Sequence, residues 1–341
     1  MSGTPIDFID PVELTEFARL AQADFDAQSQ SLARFFPYTQ IEDIRYAYDK
    51  GVDALVDEAS FRAFDTESPL GRRPGMARKT GELLPISRKI PLSEYAQLRL
   101  RGADAQQAGI VSGIFRDSER GARGIAARFA RGRGSLLQTG KLTLADENGL
   151  TMEYDAGRDA ALTINTVVSP AWSSYSTATP VDDLLGWKDL VKTTNGVVAP
   201  NRVLVSPTVL GHLQQCDEIR SFATSVANAP SRVTQAAVSE AVFGLTGMTL
   251  EVHETPTGMT SAIIDERYVI LLHDSQPLGT TAYGIPLEAS EPEYAALGVQ
   301  PGIIAGGWKS KDPLTAWSHV VAIGLPLLAA PDLTFAAKVI A

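Results

Sequence analysis

Apolar residues along this chain recur at helical spacing in a few stretches and at strand spacing in many others. Asp10-Pro11-Val12-Glu13 is a helix start, with Asp as N-cap, Pro at the first helical position and Glu completing a capping box. Leu14, Phe17, Ala18, Ala21 and Phe25 then share one face, which predicts an amphipathic helix over roughly 11–28. Its stripe has no local partner, and Leu32–Phe36 adds a short apolar segment ended by Pro37. The first 40 residues therefore read as an arm that packs on something else, with Phe17, Phe25, Phe35 and Phe36 as its contact side chains. Residues 105–139 are the longest helix candidate, marked by Ile110, Ile114, Phe115, Ile125, Phe129, Leu136 and Leu137. Gly109, Gly113, Gly121, Gly124, Gly132 and Gly134 lie inside it. Each interior glycine costs about 1 kcal/mol against alanine, so kinks are expected. Such a run also marks close packing against another backbone.

Strand patterning occupies much of the remainder. Residues 41–48 alternate, and Lys141–Leu144 and Gly149–Asp155 are joined by an Asp-Glu-Asn-Gly turn. From about 158 the chain mixes elements: helices after Pro180, after Ser206-Pro207 and over 231–243, with strands at 202–206, 250–253 and 268–272. Residues 91–100 add a short helix. The end, 303–341, returns to strands whose expected partners lie in 141–155, making the middle an insertion. The pattern is that of an α+β or α/β chain.

One stretch lacks a partner of its own. Residues 61–66 and 82–90 read as extended arms, and Ser68–Gly81 between them holds two prolines, three glycines and four basic residues, Arg72, Arg73, Arg78 and Lys79. A lone two-stranded hairpin is marginal in water, and a long structureless loop in a compact domain usually has a partner. An arm lying on a neighbouring molecule follows, which points to assembly more than to catalysis.

Charge sharpens this picture. Net charge is -10, which argues against a dedicated nucleic-acid binder. Residues 1–60 carry 12 acidic and 4 basic side chains, whereas 61–101 carry 9 basic and 4 acidic. Residues 116–141 carry 7 basic and 2 acidic, and Arg116, Arg120, Arg123, Arg128 and Arg131 give the long helix a basic face. Complementary surfaces that meet between copies explain the imbalance, as do solvated faces. Tracking of nucleic acid by the arginine helix is the lesser reading, because Phe115 and Phe129 fit the apolar stripe and leave no stacking platform.

No catalytic site, cofactor site or metal site emerges. Cys216 is alone and reads as a small buried hydrophobe. His212, His253, His273 and His319 have no ligand spacing. Gly134–Leu142 misses a phosphate loop by one residue and lacks its hydroxyl. There is no apolar run long enough for a membrane span. The opening residues lack signal-peptide character, so the chain is expected in a cytosol.

The order of several short motifs resembles the lambda-like major capsid proteins of tailed bacteriophages, with the Hong Kong 97-type shell fold. Glu82–Lys89 with Ser93–Leu100 is similar to the descent from that family's extended loop, and Leu136–Lys141 to the end of its spine helix. Trp187, Pro200–Pro207 and Leu278–Gly284 follow the middle-domain order, and Lys311–Trp317, Leu325-Pro326 and Pro331–Val339 the closing strands. The resemblance implies an α+β fold with an N-terminal arm (1–40), an extended loop region (41–91), a discontinuous peripheral domain (92–157 and 303–341, spine helix 105–139) and an axial domain (158–302). It implies a structural shell protein, not an enzyme, that forms pentamers and hexamers around double-stranded DNA without cofactors. Assembly would take place in the host cytoplasm and end in the virion. Portal and scaffolding proteins, and in some cases a decoration protein, would be partners; the DNA would be met by non-specific proximity, and no membrane is involved. Arg72, Arg73, Arg78 and Lys79 are then expected to meet acidic groups of a neighbouring subunit, with no covalent cross-link at Lys79. A cellular nanocompartment shell of the same fold and a cytosolic two-domain enzyme are the alternatives.

Overall fold

The computed structural model describes residues 4–5, 9–50, 77–92, 95, 105–147, 149–196, 198–223, 230–291, 294, 300–311 and 314–341. Helix α1 spans Pro11–Asp26 and α2 spans Ala105–Thr139. Helices α3 (Pro180–Asn195), α4 (Pro207–Leu213), α5 (Asp217–Ala223) and α6 (Gln235–Thr246) follow in the middle of the chain. The caps that start them are those the sequence marks: Asp10 accepts from the Val12 N–H at 2.9 Å and Ser206 from the Val209 N–H at 3.0 Å.

Strand β14 (Leu314–Leu328) is the axis of the larger sheet. Along one edge it pairs first with β13 (Ile304–Lys311) and then with β12 (Gly279–Gly284); along the other it pairs with β5 (Leu84–Leu92). Two short strands, β1 (Thr4–Pro5) and β2 (Tyr38–Gln40), extend the sheet beyond β13 and β12. Strand β3 (Arg45–Lys50) pairs with β4 (Ala77–Glu82), and β6 (Lys141–Glu147) with β7 (Leu150–Asp155).

The smaller sheet runs β10 (Thr249–Val252), β9 (Arg202–Val205), β11 (Tyr268–Leu272), β15 (Thr334–Lys338), β8 (Thr163–Ile164). It is buried on both faces, and the period of two divides its side chains between two cores. Val203, Val205, Val269, Leu271, Phe335 and Ala337 face the helices α3 to α6, where Trp187 stacks between Trp172 and Phe335. Leu204, Ile270, Leu272 and Ala336 face the other way, onto Leu136 and Leu137 at the end of α2. The continuous apolar runs at 203–205 and 268–272 are thus what a doubly covered sheet requires.

Two expectations about pairing are corrected. The closing strands do not pair with 141–155, because β6 and β7 pair with each other. Strands β13 and β14 take β5 and β12 instead, and β15 joins the smaller sheet. Residues 82–90 are not a loop arm either: Glu82 closes β4 against β3, and from Leu84 the chain is in β5, a body strand paired with β14. Of the two expected arms, 61–66 lies outside the described residues, as does the greater part of the helix expected at 91–100. Pro91 and Leu92 close β5.

Helix α2 runs unbroken for 35 residues despite its glycines, and several of them are close-contact points. A Cβ on Gly121 would stand 2.7 Å from Val320 of β14, and one on Gly132 2.8 Å from Pro326. A Cβ on Gly134 would stand 2.1 Å from Ile263 Cγ2 and 2.7 Å from its carbonyl oxygen. Buried Ser118 and Ser318 share a hydrogen bond of 2.8 Å across the same contact. The helix ends at Gly140, whose φ of 72° is the left-handed cap conformation. The Arg158 guanidinium donates to the Leu136 and Leu137 carbonyls at 2.7 and 3.0 Å, adding a second donor to Leu136, which already accepts from the Gly140 N–H at 2.9 Å. Burial pushes the pKa of Arg158 down to about 10, against the pull of Asp332.

Gly134→Ala is therefore expected to destabilise the subunit by about 1–3 kcal/mol, overpacking outweighing the helix-propensity gain. Gly113→Ala, whose Cβ would find its nearest neighbour at 3.9 Å, is expected to stabilise by a little under about 1 kcal/mol. Urea unfolding of the two variants beside the parent checks both signs.

Candidate assembly surface

The loop base is held to the body by a tyrosine cluster. Across the β3–β4 ladder Tyr46 faces Gly81, where a Cβ would stand 2.3 Å from the Tyr46 hydroxyl, so the ring lies over the glycine. Tyr46 also packs edge-on against Tyr154 of β7, and Tyr48 and Tyr154 share a hydrogen bond between their hydroxyls. The Tyr154 hydroxyl accepts from the Leu328 N–H at 3.2 Å, tying the hairpin to the end of β14. Burial pushes the Tyr46 hydroxyl up to about 12 and raises that of Tyr154 further, so the cluster is neutral at physiological pH.

Charged groups fasten the same hairpin. The Lys50 ammonium pairs with Asp332 at 3.0 Å and donates to the Gly157 carbonyl. Lys79 lies 3.5 Å from the Asp155 carbonyl oxygen of its own chain. Lys79 is thus in a strand and not on a loop tip, and its register turns it toward β7. Arg78 is in the same strand, exposed, in register with Asp49. Arg72 and Arg73 lie outside the described residues.

The arm is held by a contact that sequence reading missed. Arg133 of α2 is fully buried, 0% exposed, and its guanidinium meets the Asp26 carboxylate at 2.7 Å, itself 5% exposed. Arg133 also donates to the Thr281 hydroxyl at 3.1 Å and the Ser31 carbonyl at 3.2 Å. Asp26 accepts from the Tyr38 hydroxyl, and Gln22 bridges Tyr38 and Tyr283 at 2.9 Å each. Burial pushes the Asp26 carboxyl above its ordinary range, while the charge and hydrogen bond of Arg133 pull against that shift. Elsewhere Thr15 exchanges hydrogen bonds with Ala305 of β13 at 3.1 Å, and Arg19 donates to the Ile303 carbonyl at 2.9 Å. Within a basic helix Arg133 resembles its neighbours; the one usable signal was its position on the apolar face, four residues beyond Phe129.

The arm side chains are corrected accordingly. Phe25, Phe35 and Phe36 are buried in the chain's own core, because the stripe of α1 finds its partner in α2 and β13. Phe17 is the exception, one-third exposed and edge-on to Phe115. The basic face divides. Arg116 is exposed, Arg120 lies 3.6 Å from Asp117, and Arg123 lies 2.9 Å from Glu119. Arg131 donates to the Ser261 hydroxyl at 2.7 Å, and Arg128 lies beside Pro85 and Pro326.

Groups with chemical potential are dispersed. Cys216 is buried, with its thiol donating to the Ala178 carbonyl at 3.4 Å. His253 contacts the Gln30 carbonyl, His273 the Ala199 carbonyl, and His319 the Tyr294 hydroxyl, at 3.0, 2.9 and 2.6 Å. Among the described residues no three His, Cys, Asp or Glu side chains converge as a metal would require.

Comparison with known proteins places this architecture. The family model for phage major capsid protein E matches residues 47–339. The chain belongs to this capsid family. Among solved structures, it is similar to a protein assigned as a prophage capsid protein in Escherichia coli CFT073, at 15% identity and a TM-score of 0.61, over 96% of this chain and 99% of that one. A phage-related protein from Bordetella bronchiseptica RB50 is similar at 12% identity and a TM-score of 0.54, over 99% and 98%. No curated protein sequence matches the chain. The fold is the Hong Kong 97-type α+β capsid fold, α2 is its spine helix, and the protein is a shell-forming structural subunit of a phage capsid.

Two outcomes follow from the geometry. Asp26→Ala strands a buried guanidinium and is expected to destabilise the subunit by about 3–5 kcal/mol, whereas Asp26→Leu with Arg133→Met recovers most of the loss; denaturant unfolding of the single and double variants checks this. Asp155 adds a pH dependence. Burial pushes its carboxyl up, but the Gly157 N–H and Lys141 outweigh that and hold it below the usual carboxylate range. A lowered folded pKa lends stability that is complete above the unfolded range and declines as pH falls through it. Asp155→Asn should flatten the stability profile below about pH 4, read by thermal melts across pH.

Proposed function

We propose that this subunit assembles as pentamers and hexamers into an icosahedral head that encloses double-stranded DNA, with its extended loop region at 41–91 reaching over the adjacent subunit. The observation that carries the reading is the hairpin β3–β4. It is anchored by Tyr46, Tyr48, Tyr154 and Lys50, which gives the extended loop region a fixed platform. An anchored base is what a loop needs to contact a neighbour in a set geometry, because the ordering cost is met before contact.

In this reading residues 1–40 form the arm, 41–91 the loop region, 92–157 with 303–341 the peripheral domain, and 158–302 the axial domain. Strand β15 and strand β12 couple the two domains, since each pairs across the division. Arg72, Arg73 and Arg78 contact acidic groups of the neighbour, and Phe17 is the arm side chain left to meet one. Exposed pairs contribute about 0–1 kcal/mol each, so repetition by symmetry supplies the stability of the shell. A portal, a scaffold and in some conditions a decoration protein complete the head, which assembles in the host cytoplasm. No enzymatic step enters this function.

Electron microscopy of the purified chain tests the reading. Closed shells are expected, while monomers or dimers under all salt and pH conditions would count against it. Reversal of Arg72, Arg73 and Arg78 to Glu should lower shell yield and change its salt dependence, scored by sedimentation of assembled against free subunit.

A further inference from the structure

A cleft of about 590 Å³ lies between α1, the spine helix, β5 and the loop at 257–260. Four arginines line it, Arg88 from β5 and Arg120, Arg123 and Arg131 from the spine helix, against a single carboxylate, Asp24. In a chain of net charge -10 this is a local reversal of sign. The arrangement is built by the packing. A Cβ on Gly124 would stand 3.0 Å from Nη1 of Arg88, so the glycine lets Arg88 lie across the helix and join the row. Arg131 is fixed against the loop by Ser261. On the opposite wall stand Thr257, Thr260 and Gly258, the last with φ of 94° and no atom within 4 Å of a Cβ position.

The chemistry of the lining selects the ligand. Arg120 and Arg123 pair with Asp117 and Glu119 along the helix, but exposed pairs of this kind are weak, and a guanidinium has five N–H donors. Both therefore remain able to bind a second anion. Arg120 to Arg131 is eleven residues, about 16 Å of helix, long enough to reach successive phosphates of one DNA strand. Hydroxyls and open backbone beside arginines are the groups that contact phosphate without reading bases. The ring that lines the cleft, Phe25, is 4% exposed and gives no stacking platform for single strands. The cleft presents no deep apolar pocket that would seat the anchor side chain of an acidic peptide.

We propose that this cleft holds the phosphodiester backbone of duplex DNA, independent of base sequence. The inference rests on the capsid reading for why duplex DNA is present, but its test does not depend on shell formation. Fluorescence anisotropy of the full chain with a short mixed-sequence duplex, over a salt series, measures the counterion slope. Arg88→Gln with Arg123→Gln and Arg131→Gln should lower that slope by about 2–3 and weaken binding about tenfold or more. Arg123→Gln alone, at an exposed site, should lower it by about 1 and serves where the triple variant does not fold. Arg116→Gln, outside the cleft, should leave the slope unchanged. A slope unaltered in the triple variant overturns the proposal, as does labelled poly-glutamate that binds more tightly than the duplex and loses affinity with the same substitutions. Variant shells that close normally in the microscope while DNA binding is lost support it. Wild-type chains that bind the duplex through these arginines yet never form shells would remove the capsid reading alone.

Discussion

Everything in this subunit is arranged around one close approach, that of the spine-helix backbone to β14 and to Ile263. Side chains normally hold a helix and a sheet well apart. Here Gly121, Gly132 and Gly134 remove them at the crossing points, and a methyl group at any of the three would collide with Val320, Pro326 or Ile263. The cost is intrinsic helix propensity, about 1 kcal/mol for each glycine. It is offset by burial of Ile114, Ile125, Phe129, Leu136 and Leu137 against neighbours that the glycines bring within reach. The same approach places Arg133 inside the protein, where it needs Asp26, and so commits α1 to the helix.

The second organising element is the small sheet, which is shared between two cores. One face belongs to the middle of the chain, with Trp187 and Phe335 at its centre; the other belongs to the end of the spine helix. A sheet covered on both faces cannot slip its register by one residue without exchanging the two sets of side chains. Because β15 comes from the extreme end of the chain, this register also fixes where the last strand returns. The middle of the chain and the end of α2 are therefore coupled by a shared layer.

Much of this was legible along the chain. The cap at Asp10, the 105–139 helix, the hairpin at 141–155 and the motif order that resembles the capsid family all rest on local or sequential signals. The pairing of the closing strands was not legible, since β-ladders join residues more than two hundred positions apart, as β14 and β5 do. The fate of the arm was misjudged for a related reason: an apolar stripe announces that it needs a partner but carries no record of whether that partner is in the same chain. Lys79 shows the same limit on a smaller scale. Its charge was visible, but the register that turns it back toward Asp155 was not.

By itself, then, the amino-acid sequence determined the element types, the stripe faces and the family. These depend on periodicity, on caps and on short motifs, all of which act within a few residues. Tertiary structure alone decided that the arm folds back on its own spine helix, that Arg133 is buried while Arg116, four turns and more away on the same helix, is exposed, and that Arg88 joins three spine-helix arginines in one cleft. Those outcomes depend on which surfaces meet in space, and a helix of uniform basic composition gives no sign of which arginine will be enclosed until the glycines beside it have set the distance to the sheet.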